Sequence, residues 1–208
     1  FFDEQGNIVL RVNGYYKPHR FMAALEYVAG KNEKKTDFRS FYAKKSPPKS
    51  TGALNKQSFF TEQPYDLRRK KGQKPLAVFF EQKDCPACDT LHKTILPLPD
   101  TKQQLERFDI VQLDMWSKTP VTTPAGKKIT ANRWAKELAI NYAPTVVCFN
   151  DGKEAVRMEA FLKSFHVQSI LDYCASRAYI KQPNMQRYIE RRAQKILDQG
   201  KKVDLWTN

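Results

Sequence analysis

The residues with the clearest chemical potential are Cys85 and Cys88, in Asp84-Cys85-Pro86-Ala87-Cys88-Asp89, directly behind the apolar run from Pro75 to Phe80. Thiols at this spacing can be a redox pair, half of a metal site, or two core side chains. A strand followed at once by a helix places Cys85 at the helix cap and Cys88 in the first turn. Unpaired backbone N–H groups and the positive end of the helix dipole then favour a thiolate at Cys85. Cys88 is near enough to attack a mixed disulfide formed on Cys85 and release what it holds. Pro86 suits the first helical position, where a missing N–H costs little. The spacing therefore supports a nucleophile followed by a resolving thiol.

A structural zinc site needs four ligands, usually a second close Cys or His pair. The other cysteines, Cys148 and Cys174, are isolated singles at apolar positions and read as small buried hydrophobes; whether they pair is open. His92 follows Cys88 by four residues on the same helix face. Its readings are a hydrogen-bonded structural histidine, a modulator of a thiol, or the third ligand of a Cu or Zn carrier using Cys85 and Cys88.

The elements that must position these groups follow from pattern. Asp66 to Lys71 is a short helix candidate ended by Gly72, and Lys74 to Glu81 a buried strand. The helix opened by Cys85 runs to about Leu96, stopped before Pro97. Asp100 with Gln103 reads as a capping pair, and Phe108 to Trp116 as a second buried strand. Thr119 to Thr130 is polar and turn-rich, a protruding loop or hairpin. Thr130 to Ala139 is a helix, followed by a strand, a turn at Gly152, a last strand and a last helix. Two right-handed crossovers predict parallel strands, and the closing hairpin adds an antiparallel edge. The expected fold class is α/β, a mixed central sheet flanked by helices.

A gapless internal repeat organises the rest. Gly6 to Ala29 aligns with Gly152 to Ala175, matching Arg11 to Arg157, Lys17 to Lys163, Leu25 to Leu171 and Tyr27 to Tyr173. Tyr15 and Phe161 are similar, and Tyr42 and Tyr188 keep the offset. Both copies read as a hairpin followed by an amphipathic helix. The domain expectation is therefore residues 1–43 as the C-terminal part of a truncated upstream domain and 44–57 as a basic Pro/Ser linker. Residues 58–180 form the complete domain, and 181–208 a basic amphipathic helical extension.

The chain of 208 residues carries a formal charge of +14. That balance suits an acidic protein partner or an anionic membrane surface. No base-reading pattern is present, so no nucleic acid is expected. No apolar run is long enough to span a bilayer.

The segments Val78 to His92, Phe108 to Trp116 and Tyr142 to Phe161 resemble the thioredoxin-like superfamily, and within it the periplasmic SoxW-type thioredoxins, here in tandem with a partial first domain. The resemblance implies a cis bond before Pro144. It implies a substrate-binding surface from Pro86, Ala87, Ala143, Pro144 and Thr145 beside the cysteines, an exported or periplasmic location, and partner proteins held by mixed disulfide. It implies no cofactor beyond the redox-active disulfide, and no metal. Where many thioredoxins carry a buried acid on the strand before the cysteines, this chain has Phe79. Glu81 is the nearest carboxylate and a possible modulator, though a solvated strand-end glutamate is the simpler reading. The expected activity is thiol–disulfide exchange through Cys85 and Cys88, reduction of partners being slightly favoured. The alternative is a non-catalytic scaffold docking to an acidic partner.

Overall fold

The structure, a computed structural model, describes residues 1–12, 18–45, 50–159 and 162–203. Tyr15, Lys17 and Phe161 of the repeat lie outside the described residues, as do residues 46–49 of the linker reading. The chain divides into two compact units, Phe1–Lys49 and Ser50–Asn208.

In the first unit, helix α1 (Pro18–Ala29) is followed by a single 3₁₀ turn (Asn32–Lys34) and helix α2 (Phe38–Lys45). Ala23, Ala24 and Tyr27 are buried, with the Tyr27 ring edge-on to Phe38 and Phe41 at 5.4 and 5.3 Å. Among the described residues, the expected hairpin is reduced to one antiparallel bridge, Phe2 to Ile8. It surrounds a turn in which the Gly6 N–H donates to the Asp3 carbonyl. Gly6 has a φ of +84°, a backbone conformation that favours glycine.

The second unit runs β1 (Tyr65–Asp66), β2 (Leu76–Glu81), α3 (Pro86–Thr90), α4 (Pro99–Leu105), β3 (Asp109–Asp114), β4 (Pro120–Thr122), β5 (Lys128–Thr130), α5 (Ala131–Glu137), β6 (Thr145–Asn150), β7 (Lys153–Glu159), α6 (Ser164–Ala175) and α7 (Met185–Asp198). The central sheet has the order β3-β2-β6-β7, with helices on both faces. Every residue of β2 is buried, because side chains alternate between two covered faces. Ala77 and Phe79 join Leu91, Ile95, Ile170 and Leu171 on one side. Leu76, Val78 and Phe80 join Trp134 and Phe149 on the other. Burying each such large side chain contributes about 1.5–3 kcal/mol.

Four sequence expectations change. Only β3 is parallel to β2; β6 is antiparallel to it, with Phe80 opposite Thr145. The reason lies in the connection. After β3 the chain makes the β4–β5 hairpin, which joins β1 in a separate sheet, and α5 then returns it to the end of β2 that it left. Asp66 to Lys71 is not a helix. Tyr65 and Asp66 pair in parallel with Val121 and Thr122, and the Leu67 and Arg69 N–H groups donate to the Thr122 and Pro124 carbonyls. Asp100 and Gln103 form no capping pair, since α4 starts at Pro99 behind Leu98 with no side-chain cap. Beyond residues 46–49, the stretch read as linker is held to the second unit by hydrogen bonds from Thr51 and Asn55 to Asp89. Among the described residues, no helix is long and apolar enough to cross a membrane.

Candidate active site

Strand β2 ends at Glu81, and four residues later Cys85 forms the N-cap of α3, with Pro86 in the first turn. Asp84 turns the chain with a φ of +53°, a conformation asparagine and aspartate tolerate better than most residues. Cys85 and Cys88 are joined as a disulfide. The Cys88 backbone N–H donates to Cys85 Sγ at 3.0 Å. That N–H is one of the donors a helix start leaves without a backbone partner, and here the Cys85 sulfur accepts from it. Cys85 is 5% exposed against 1% for Cys88, so what little access the pair retains lies at Cys85.

The antiparallel entry of β6 sets the other wall. Thr145 lies opposite Phe80, which places the Ala143-Pro144-Thr145 bend at the sheet end from which the chain leaves for Cys85. The Ala143–Pro144 peptide is cis. Pro144 and Thr145 are buried, and Ala143 half-buried. Thr145 Oγ1 donates to the Tyr142 carbonyl at 2.8 Å, closing the bend on itself. Pro86 is exposed and Ala87 half-buried. Two aromatics that sequence reasoning did not single out stand at this end of the sheet. Tyr142 adjoins the bend, and Trp116 follows β3, tied through Nε1 to Gln82 Oε1 at 2.8 Å. They are 60% and 67% exposed, unusual for rings this large.

Glu81 is not a solvated strand-end residue: it is fully buried. It shares the face of Ala77 and Phe79, and its carboxylate is taken up by side chains from two other elements. Oε1 meets His92 Nε2 at 2.8 Å, and Oε2 accepts from Gln112 Nε2 at 2.8 Å. His92 Nδ1 faces Gln57 Nε2 at 3.2 Å, and Phe60 lies against the ring. Both ring nitrogens are thus engaged, so His92 is not free to complete a metal site with the cysteines. Among the described residues, no group of three or more His, Cys, Asp or Glu side chains forms a metal-binding cluster. His92 sits in a π-helical turn (Leu91–Ile95) that continues α3, a local widening often found near functional groups.

Asp89, in the first turn of α3, is a second buried carboxylate missed in the sequence. Its oxygens accept from the Asn55 amide at 2.7 Å, the Thr51 N–H at 2.9 Å and the Thr51 hydroxyl at 3.1 Å. Burial pushes its carboxyl up, but the hydrogen bonds from Asn55 and Thr51 outweigh it and hold the group below the usual carboxylate range. Gln112 Nε2 also donates to the Asn55 carbonyl at 2.8 Å, so the Glu81 and Asp89 clusters are connected through the 51–57 segment.

Cys148 and Cys174 are free and fully buried. The facing Cys174 thiol, and then burial, push the Cys148 thiol well above its ordinary range. Cys148 is therefore protonated and a poor nucleophile.

Comparison with known proteins places this geometry in context. Residues 66–175 match the family model described as a thioredoxin-like domain. A thioredoxin-fold protein from Helicobacter pylori is similar at 14% identity and a TM-score of 0.54, over 65% of this chain and 92% of its own. A thioredoxin from Halobacterium salinarum is 14% identical over 55% of this chain and 96% of its own, TM-score 0.35. Thioredoxin f2 of Chlamydomonas reinhardtii is 16% identical over 57% and 87%, TM-score 0.35. No curated protein matches the sequence.

Proposed function

Since the chain belongs to the thioredoxin-like domain family, we propose that it is a thiol–disulfide oxidoreductase acting on partner proteins through Cys85 and Cys88. The observation that carries this reading is the bonded pair at the strand-to-helix junction, with the Cys88 N–H donating to Cys85 Sγ. In the reducing direction, the Cys85 thiolate attacks a partner disulfide; one S–S bond forms and one partner sulfur leaves as a thiolate. Cys88, losing its proton, then attacks Cys85 Sγ. The mixed disulfide breaks, the second partner sulfur leaves, and two electrons have passed to the partner while the Cys85–Cys88 disulfide forms. A dithiol donor must then reduce that disulfide. Oxidation of partners is the same sequence reversed, and reduction is the favoured direction.

Pro86, Ala87 and the Ala143–Thr145 bend receive the partner polypeptide, with Trp116 and Tyr142 supplying exposed aromatic surface. Glu81 and His92 act as modulators. The resemblance of the quoted segments to SoxW-type thioredoxins supports a periplasmic or exported setting. The exposed Arg187, Arg191 and Lys195 of α7 support contact with an acidic protein or anionic membrane surface. The reading calls for no cofactor or metal beyond the redox-active disulfide.

The test is trapping. A Cys88→Ser chain, reduced and mixed with oxidised insulin, accumulates a disulfide-linked adduct through Cys85, and Cys85→Ser/Cys88→Ser gives none. Equal adduct formation by both variants refutes the exchange role. One observation favours a second reading, a non-catalytic scaffold: Cys85 is only 5% exposed. In that case the reduced native protein resists alkylation at Cys85 under conditions that modify a free thiol.

A further inference from the structure

The helical part of the sequence repeat has a counterpart in three dimensions at one constant offset. Helix α1 (Pro18–Ala29) matches α6 (Ser164–Ala175) end to end. Each is followed by a left-handed residue, Lys31 at φ +49° and Arg177 at φ +54°, and then by a 3₁₀ turn, Asn32–Lys34 and Ala178–Ile180. Each copy closes with the same tie: the Tyr27 hydroxyl donates to the Thr36 carbonyl at 2.7 Å, and the Tyr173 hydroxyl to the Gln182 carbonyl at 2.7 Å. The turn glycines Gly6 and Gly152 both have positive φ, +84° and +79°.

The copies differ in what covers the helix. On the face carrying Tyr27 or Tyr173, each helix is covered by its own following segment. On the other face, α6 buries Val167, Gln168 and Leu171 at 3%, 9% and 2% exposure. Val167 and Leu171 belong to the core built with β2 and β6. The corresponding residues of α1 are Phe21, Met22 and Leu25, exposed at 43%, 54% and 37%. Large apolar side chains contiguous on one helix face mark an interaction surface.

We infer that the Phe21-Met22-Leu25 face of α1 is a docking surface for the apolar face of a mixed β-sheet built like β3-β2-β6, completing a second lobe of the same fold. This does not depend on the redox reading of Cys85 and Cys88.

The experiment offers α1 such a sheet within the full chain. In one variant, residues 147–191 are replaced by a second copy of residues 1–45, of equal length. In another, residues 147–175 are replaced by residues 1–29, leaving α7 in place. At least one exchanged chain is expected to unfold cooperatively, monitored by fluorescence of the buried Trp134. Leu25→Asp in its inserted helix is expected to abolish that transition. If neither exchanged chain unfolds cooperatively, or if Leu25→Asp in the inserted helix has no effect, the inference is overturned. Sedimentation of the unmodified chain adds a second decision: a monomer agrees with the inference, whereas a dimer lost on Leu25→Asp assigns the face to a second copy and overturns it.

Discussion

Replacing His92 by leucine tests the buried cluster beneath the cysteines. The two Glu81 oxygens each have a side-chain partner at 2.8 Å, His92 Nε2 and Gln112 Nε2, and Glu81 and His92 side chains are 0% and 1% exposed. Leucine in place of the imidazole offers Glu81 Oε1 no hydrogen-bond donor. Removing one partner of a buried pair costs about 3–5 kcal/mol, because the remaining group is left buried and uncompensated. For a domain of this size that is a fall in Tm of roughly 6–20 °C. Replacing both partners with apolar groups is different: such changes are often neutral, or stabilising by about 1–4 kcal/mol. Glu81→Leu/His92→Leu should therefore recover most of the loss of His92→Leu, leaving Gln112 its bond to the Asn55 carbonyl. Urea unfolding of the oxidised chain, followed by tryptophan fluorescence, measures the cycle. A His92→Leu loss below about 1 kcal/mol, or a double variant less stable than the single, refutes the claim that the pair is uncompensated when split.

Asp89→Ala should free the 51–57 segment, seen as rapid hydrogen exchange at Thr51. Because the folded Asp89 pKa is lowered, its contribution is present above the unfolded carboxylate value of about 3.9 and fades as pH falls through the lower folded value. The stability gap between the parent chain and Asp89→Asn should therefore close in acid, and a gap that widens there contradicts the assignment. Burial, then the hydrogen bond to Asp172, pushes the Tyr188 hydroxyl up to about 12. Its stabilising effect is full below pH 10 and lost as pH rises toward 12, so Tyr188→Phe should flatten alkaline unfolding and remove the latest phase of the phenolate absorbance titration. Trp116→Ala and Tyr142→Ala should lower kcat/KM for a protein disulfide while leaving reaction with a small aromatic disulfide unchanged; equal losses on both would remove the aromatics from partner binding.

The sequence made the cysteine junction legible because its signals are local: an apolar β-rich run, a helix-opening proline and a two-residue spacing. Glu81 was misread for the opposite reason. A carboxylate at the end of a strand is ordinarily solvated, and its burial here depends on His92 and Gln112, eleven and thirty-one residues away. The Thr51–Gln57 stretch misled in the same way, since the polar composition of a linker is also what satisfies a buried carboxylate. The direction of β6 was hidden too. Alternation of side chains is the same in parallel and antiparallel strands, and only the path through the β4–β5 hairpin and α5 decides which end the chain enters. That decision brings Pro144 to the sheet end that carries Cys85.

The role of Cys85 as attacking thiolate is tested most directly by alkylating the reduced native chain across pH and mapping the modified residue by mass. The account predicts that Cys85 reacts first, as a single site, with an apparent pKa below the ordinary thiol value of about 8.5. Reaction first at Cys88, or no reaction at either cysteine until the chain unfolds, would contradict it.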